Sequence, residues 1–301
     1  MKATLLGTGT SSGVPVIGCD CPVCTSDDPR NHRRRTGLYL EADGVSILVD
    51  APPDFREQAL QYSIPRIDAV FFTHSHADHI FGFDDIRRYN TIQDQIIPAY
   101  AHPETIADLK RIFDYIGTEK VKGFYRPRIE FKNIEGAVLL AGSGERGAGR
   151  GKSGKRKAEI LKCGAGRVGS GQWAVERGAL GVVPLPVVHG TVATVGYLFT
   201  EHGRRLAYVP DCLIMPDKTL EMLKGVDVMI LDALRHRPHK THLTVEDSVK
   251  LLQKIGAKQS YITHMCHDLD HSETEALLPD GISVSYDGMV VETGYLSTGS
   301  F

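Results

Sequence analysis

The stretch Thr73-His74-Ser75-His76-Ala77-Asp78-His79 places four side chains of metal-binding type within six residues, directly after the apolar run 69–72. A strand end followed by a turn and a helix start can direct His74 and His76 to one metal ion, and Asp78 and His79 to a second ion nearby. Imidazole and carboxylate ligands suit zinc, manganese or iron(II), and the mixture alone does not choose among them. The sequence therefore predicts a metal centre at the end of a strand.

This pattern, His-x-His-x-Asp-His, resembles the signature of the metallo-β-lactamase superfamily. That family also places a histidine, an aspartate and a last histidine at later strand ends. The chain has His189, Asp211 and His264 after apolar runs in that order. The resemblance covers roughly residues 1–292 apart from one insertion. It implies an α/β fold, the αββα sandwich of two mixed β-sheets flanked by helices, with the site at one edge of the sheets.

The resemblance also implies a ligand set for two divalent metal ions, zinc or manganese. His74, His76 and His189 would hold one ion, Asp78, His79 and His264 the other, and Asp211 would bridge both. Asp78 counts among the catalytic residues as well. We expect the two cations to lower the pKa of a shared water and supply hydroxide at neutral pH.

A second group of soft ligands lies near the N-terminus, where Cys19, Cys21 and Cys24 crowd into one short loop. This spacing suits metal thiolates better than disulfides, and reduced buried cysteines are the alternative. A structural zinc needs four ligands, so a fourth must come from elsewhere. His267 is the better candidate, and Cys266 competes with it.

The cysteine loop, together with the Gly-Thr-Gly start at residues 7–9, resembles one branch of the superfamily, which contains the cyclic phosphodiesterase of the carbon–phosphorus lyase pathway. That branch binds a structural zinc through three cysteines and a histidine, which match Cys19, Cys21, Cys24 and His267. The pyrroloquinoline quinone biosynthesis protein also has a cysteine-rich N-terminal loop. The zinc site alone therefore does not determine the reaction.

The resemblance favours a metal-dependent hydrolase of small phosphodiesters, linear or cyclic. His242 matches a histidine that phosphodiesterase branches place near the leaving group, so we expect it to protonate the leaving alkoxide; a neutral surface histidine is the alternative. Arg87 and Arg88 follow the metal motif and are candidates for phosphate binding, because guanidinium matches phosphate oxygens in a bidentate manner. Solvated surface arginines are the alternative for both.

Other functions share the same ligands. A transfer-RNA 3′-processing endonuclease has the Gly-Thr-Gly start, the metal motif and a histidine like His242. A quinone-cofactor biosynthesis protein, or an enzyme acting on lactams or thioesters, is also compatible with this ligand set. Superfamily members share metals and differ in the walls of the cleft, so the substrate depends on residues outside the motifs.

One segment departs from the pattern of alternating strands and helices. Residues 142–180 contain eleven glycines and nine Lys or Arg against three Glu. Such a composition buries little surface, so we expect a disordered insertion within a single domain of residues 1–301. A flexible basic arm that captures a polyanion such as RNA is the alternative. The roles of Cys163 and Trp173 in this segment are open.

The composition of the chain limits the cellular locations and the binding partners that we expect for the protein. With 301 residues, 42% apolar, and a formal charge of -2, the chain is expected to be globular, and nucleic acid is not the favoured partner. The N-terminus lacks the pattern of a signal peptide, and no run approaches the length of a membrane span, so we expect a cytoplasmic protein without membrane association. The branch tends to form dimers, which suggests a homodimer.

Overall fold

A computed structural model describes residues 1–123, 125–142, 158–161 and 179–294 of the chain. Two mixed β-sheets form its centre, one largely from the first half of the chain and one largely from the second. The first sheet consists of β1 (Lys2–Gly7), β2 (Gly37–Ala42), β3 (Val45–Val49), β4 (Ala69–Phe71), β5 (Ile97–Ala101), β6 (Ile129–Asn133) and, at its edge beside β1, β15 (Val290–Glu292).

The second sheet has the order β14-β13-β12-β11-β10-β9-β7-β8. Its strands are β7 (Val138–Gly142), β8 (Ala158–Leu161), β9 (Ala179–His189), β10 (Val192–Glu201), β11 (Arg204–Val209), β12 (Val228–Asp232), β13 (Gln259–Thr263) and β14 (Ile282–Val284). The helices are α1 (Phe55–Gln61), α2 (Ala77–Ile80), α3 (Arg87–Gln93), α4 (Pro103–Ile112), α5 (Asp217–Leu223), α6 (Val245–Ile255) and α7 (His271–Leu277). Short 3₁₀ helices span Pro29–Asn31 and Phe83–Ile86.

Apolar side chains from both sheets fill the space between them. Phe71 stacks on Tyr100 with ring centroids 4.7 Å apart and meets the edge of Tyr197 from the other sheet at 5.3 Å. Two further apolar layers pack the helices on the outer faces, with Leu109 of α4 on one side and Leu252 of α6 on the other. Helices therefore cover both outer faces, and the predicted αββα sandwich is confirmed.

The apolar spacing of the sequence predicts two helices. The first starts at Pro103, carries an apolar stripe as far as Ile116 and stops at Gly117. The second follows the capping residue Thr244 and ends at Gly256. Helix α6 begins after Thr244, whose side chain accepts a hydrogen bond from the Asp247 amide, and it ends at Gly256 in the left-handed conformation, as predicted. Helix α4 begins at Pro103 as expected but ends at Ile112, before the predicted stop at Gly117. The chain turns earlier because the Gly117 carbonyl accepts from the Ile129 amide at the start of β6.

The expected disordered insertion, residues 142–180, lies mostly outside the described residues, and so do Cys163 and Trp173. Where the backbone is described within it, the chain forms strand: residues 158–161 pair with β7, and β9 begins at residue 179.

Candidate metal centre

The site lies where strand ends from both sheets meet. The motif loop follows β4 of the first sheet, and His189 is the last residue of β9 in the second. Asp211 and His264 come just after β11 and β13, which run parallel to β12 and so end at the same edge. Tyr197 pins the loop to the second sheet by donating to the Phe72 carbonyl at 2.6 Å. The sheet topology thus brings distant parts of the sequence to one edge.

Three histidines converge on one side of this edge. The Nδ1 atom of His76 lies 2.8 Å from His74 Nε2 and 3.2 Å from His189 Nε2. His189 donates from Nδ1 to the Thr241 carbonyl at 2.8 Å, so its Nε2 faces the group as an acceptor. Burial lowers the pKa of His74, and it lowers that of His189 to about 4. These imidazoles are therefore neutral at physiological pH, the form that binds metal ions.

A second group lies beside the first. Asp78 Oδ2 is 3.5 Å from His79 Nε2 and 3.7 Å from His264 Nε2. Asp211 stands between the groups: its Oδ2 is 3.1 Å from His79 Nε2, and its Oδ1 lies 3.4 Å from His264 Nε2 and 3.7 Å from His189 Nε2. All seven sequence-predicted side chains are thus brought together, and Asp211 is placed to contact ions in both groups.

Several of these atoms are buried without a hydrogen-bond partner: His79 Nε2, Asp211 Oδ2 and His264 Nε2. A buried polar atom without a partner lowers the stability of the fold by about 1–3 kcal/mol. Three such atoms side by side therefore indicate a binding partner that all of them share. Although burial alone favours its neutral form, the charges of Asp211, Asp78 and Asp50 raise the pKa of His79 well above its usual range. The three carboxylates therefore favour positive charge at this place, and the donor set of the cluster fits two divalent cations.

Asp50 supports the cluster from behind, and the sequence reasoning missed it. It follows β3, and its Oδ2 accepts a hydrogen bond from His79 Nδ1 at 2.8 Å, while its Oδ1 accepts from the Thr73 amide at 2.8 Å. Its backbone has φ +61°, a strained conformation for a residue with a side chain. The only sequence signal is an aspartate directly after an apolar strand, which many turns share.

His242 lies beside the cluster, as predicted. It is buried, its ring centroid is 4.6 Å from that of His189 and 4.7 Å from that of His264, and its Nδ1 is 2.9 Å from Asp232 Oδ2. The same oxygen of Asp232 accepts from the Cys212 amide at 2.9 Å. Asp232, the last residue of β12, was also missed, because nothing in the sequence sets it apart from a turn aspartate. It fixes the orientation of the His242 ring.

The two arginines expected to bind phosphate are placed differently. Arg87 at the start of α3 forms an ion pair with Asp84 and stacks over the Tyr125 ring at 5.2 Å. Arg88 is exposed. Within the described parts of the chain, no recorded contact joins either side chain to the histidine cluster. Their assignment to substrate binding has no support from this geometry.

The three cysteines of the N-terminal loop surround His267. Its Nδ1 atom lies 3.2 Å from Cys19 Sγ, 3.5 Å from Cys21 Sγ and 3.6 Å from Cys24 Sγ. The competing candidate, Cys266, stands outside this group, and its sulfur accepts from the Asp268 amide at 3.4 Å. The four grouped side chains supply three sulfurs and one nitrogen, which is a complete donor set for a tetrahedral zinc.

A backbone hydrogen bond and burial shift the pKa values of two thiols of this group in opposite directions. The Cys24 amide donates to Cys21 Sγ at 3.4 Å, and this contact is the main reason why the pKa of Cys21 falls to about 6. Burial instead raises the pKa of Cys24 to about 11. In the absence of metal one thiol is therefore readily ionised and another is held protonated.

A short turn links the two clusters. His264, with φ +61°, faces the histidine cluster, and His267, three residues later, faces the cysteines. Between them the Met265 amide donates to the Thr8 carbonyl at 2.9 Å, and its carbonyl accepts from the Thr10 amide at 3.1 Å. The loop after β1 thus holds this turn in place from the side.

Four histidines fit no place in the ligand pattern, and the sequence predicts that they face solvent, with the rim of the site as the alternative for two of them, His236 and His239. The four are His202, His236, His239 and His271. His202 and His236 are exposed, and so is His239, which lies at the rim of the site with its ring 5.2 Å from that of His242. For His271 the expectation was wrong: it is buried, and its Nδ1 accepts from the guanidinium of the buried Arg33 at 3.2 Å. The sequence could not reveal that an arginine would be buried there.

No helix in the described ranges is both long enough and apolar enough to cross a membrane. A family model described as "Beta-lactamase superfamily domain" matches residues 46–144 and 166–265. The chain is also similar to a protein whose crystal structure is described as a new diphosphatase from the PhnP family. The two are 37% identical with a TM-score of 0.76, and the match covers 97% of each chain.

Two curated relatives are similar in sequence. One, named octanoyltransferase, from Porphyromonas gingivalis, is 30% identical over 292 residues, which is 96% of this chain and 51% of that protein. The chain thus spans about half the length of this relative. The other, coenzyme PQQ synthesis protein B from Methylobacterium sp., is 29% identical over 255 residues, covering 77% of this chain and 72% of that protein.

Proposed function

Because the chain belongs to the beta-lactamase superfamily and shares its metal-dependent hydrolase fold, we propose that it cleaves a small phosphodiester, linear or cyclic. The observation that carries this proposal is the pair of donor groups joined at Asp211, with His242 directly beside them. Phosphoryl transfer requires mainly positioning and charge stabilisation, which such a site offers.

The fold implies divalent metal binding, and we assign two ions to the cluster. Bound there, they would neutralise phosphoryl oxygens and make a water nucleophilic at neutral pH. His74, His76 and His189 would hold one ion, and Asp78, His79 and His264 the other. Asp50 and the Thr241 carbonyl would orient ring nitrogens from behind, as outer partners do in metal sites.

The chain's own acid is His242. Its Nδ1–H donates to Asp232, so Nε2 faces the site, and in the protonated imidazolium form the Nε2–H would pass its proton to the leaving oxygen. Burial lowers the pKa of His242, while the charges of Asp211 and Asp78 oppose that shift. Asp232 acts as a positioning residue, because it holds the ring and does not touch the substrate.

The diphosphatase neighbour supports phosphoryl chemistry, because it is 37% identical over nearly the whole chain. In this chain the group of Cys19, Cys21, Cys24 and His267 is assigned to a structural zinc. That group leaves no position for a substrate once four donors are bound. The hydrolytic role therefore falls to the histidine and aspartate cluster.

The test is an assay of metal-reconstituted protein against bis(p-nitrophenyl) phosphate, a β-lactam and a thioester side by side. We expect turnover of the phosphodiester in preference to the other two substrates. Activity on the thioester alone would overturn the proposal. A gel-shift experiment with transfer RNA would separate this function from that of a 3′-processing endonuclease.

A second candidate is a biosynthetic role like that of the coenzyme PQQ synthesis protein B relatives. The 29% identity over 77% of the chain favours it. Turnover of none of the three substrates by protein with a full metal complement would favour this candidate instead.

A further inference from the structure

A basic loop passes the mouth of the site. It connects β12 to α6 and reads Arg235-His236-Arg237-Pro238-His239-Lys240-Thr241-His242. Its second half is fixed against the cluster, because the Thr241 carbonyl accepts from His189 and the His242 ring is bound to Asp232. The backbone just before Thr241 therefore has a defined position relative to the histidine cluster.

Two imidazole rings of this loop lie at increasing distance from the histidine cluster. His242 is buried and contacts the rings of His189 and His264. The His239 ring lies 5.2 Å beyond that of His242 and is exposed. A substrate whose phosphodiester sits at the cluster would therefore reach His239 with the next group along its length.

The hydrogen bonds of His239 define which nitrogen carries its proton. The Thr241 backbone N–H lies 3.4 Å from His239 Nδ1, and the Thr241 hydroxyl lies 3.1 Å from it. A backbone N–H can only donate, so Nδ1 is the acceptor and the proton sits on Nε2. His239 consequently offers a donor to an anionic group.

Some basic side chains of the loop form ion pairs with carboxylates, and others do not. Arg237 pairs with Asp268 at 2.8 Å and His236 with Glu246 at 2.7 Å. Arg235 donates to the carbonyls of Arg237 and Pro238, which braces the loop. Lys240 is exposed, and no carboxylate pairs with it in the described ranges. A lysine thus directly follows a histidine N–H donor in this exposed part of the loop, and in the described ranges neither side chain pairs with a carboxylate.

We propose that His239 and Lys240 bind a second phosphoryl group of the substrate, beside the phosphodiester held at the histidine cluster. The enzyme would then prefer diesters that carry an adjacent phosphate, as in a diphosphate diester. This inference rests on the proposed function. Ammonium and imidazole N–H groups form charge-assisted hydrogen bonds with phosphate oxygens, so the pair would act on substrate binding and not on the chemical step.

The experiment compares two esters: the p-nitrophenyl ester of thymidine 5′-monophosphate and that of thymidine 5′-diphosphate. Lys240→Met keeps the length of the side chain without its charge, and His239→Phe keeps a ring against His242 without the N–H. For each variant we expect the KM of the diphosphate ester to rise about tenfold more than that of the monophosphate ester, the loss of one charge-assisted hydrogen bond.

Lys254→Met, an exposed lysine at the end of α6, is the matched control and should keep the wild-type ratio of KM values. Equal KM changes for both esters, or a ratio like that of the control, would overturn the subsite. If the wild type turns over neither ester, the proposed function fails, and the subsite is then tested by calorimetric binding of thymidine 5′-diphosphate. Lys240→Met should weaken that binding about tenfold relative to Lys254→Met, and equal affinities would refute the subsite.

Discussion

The histidine–aspartate cluster and the cysteine cluster lie at opposite ends of the turn 264–267. They differ in whether their donor atoms would fill every coordination position of a bound metal ion. The cysteine cluster offers four donors, which is what one tetrahedral zinc takes. The histidine cluster offers seven side chains, several with buried unpaired atoms, and it opens to solvent at His76 and beside the basic loop, residues 235–242. A closed shell supports a fold, whereas an open one can exchange water for a substrate.

Asp211→Ala should have the largest effect, because the two carboxylate oxygens of Asp211 lie near His79 in one donor group and near His189 in the other. We expect turnover of bis(p-nitrophenyl) phosphate to fall by more than about a hundredfold, since even outer partners of metal ligands contribute that much. The metal content, measured by plasma mass spectrometry, should fall toward the one zinc of the cysteine cluster. Asp280→Ala, an exposed turn position, is the control, and full metal retention in Asp211→Ala would refute the bridging role.

Cys24→Ser tests the other side of the comparison. Loss of zinc from the cysteine cluster should lower the free energy of unfolding by about 4 kcal/mol when free zinc exceeds its Kd a thousandfold. Denaturation with and without a chelator measures this. Cys266→Ser is the matched control, because its sulfur lies outside the group and the variant should keep its zinc. Zinc loss from Cys266→Ser instead would show that the fourth ligand is misassigned.

His242→Gln separates chemistry from metal binding. The turnover number should fall by about 10²–10⁴ for a diester with an alkyl leaving group, the usual contribution of a general acid, with metal content intact. The loss should be smaller for a p-nitrophenyl ester, because that leaving group departs without protonation. His236→Gln at the exposed rim is the control. Loss of bound metal would identify His242 as a ligand.

The pH dependence of zinc binding to the cysteine cluster should show the smallest effect. Burial raises the pKa of the Cys24 thiol to about 11, so this thiol must release a proton when zinc binds. Cys21, with its pKa lowered to about 6, is already ionised above that value. Because at least this one proton is released, affinity should rise by at least about tenfold per pH unit between pH 6.5 and 8.5, as measured by competition with a chromogenic chelator. A pH-independent affinity would contradict these pKa shifts.

The sequence predicted the fold and the residues of both clusters because each candidate follows an apolar run or sits in a short motif with its own chemistry. The order of His189, Asp211 and His264 could be compared with a known family, and the structure brings all three to the first motif. Asp50 and Asp232, which hold histidine rings of the site by hydrogen bonds, belong to no such pattern in the sequence. Their roles depend on which strand ends become neighbours, and the sequence does not state that.

Other differences have the same physical origin. His271 is buried because a buried arginine, Arg33, donates to it, and no local pattern reports such a tertiary contact. Helix α4 ends before its apolar stripe does, because the following residues pair with the start of β6. Arg87 is close to the metal motif in sequence, but Asp84 and Tyr125 hold its guanidinium. Proximity in sequence did not determine direction in space.

The most direct test of the two-cation centre is anomalous diffraction from crystals of zinc-loaded protein, measured above the zinc absorption edge. Two peaks should lie among the histidine and aspartate side chains, on either side of Asp211, with a third between His267 and the three cysteines. A single peak or none at the histidine cluster, or peaks away from Asp211, would contradict the account.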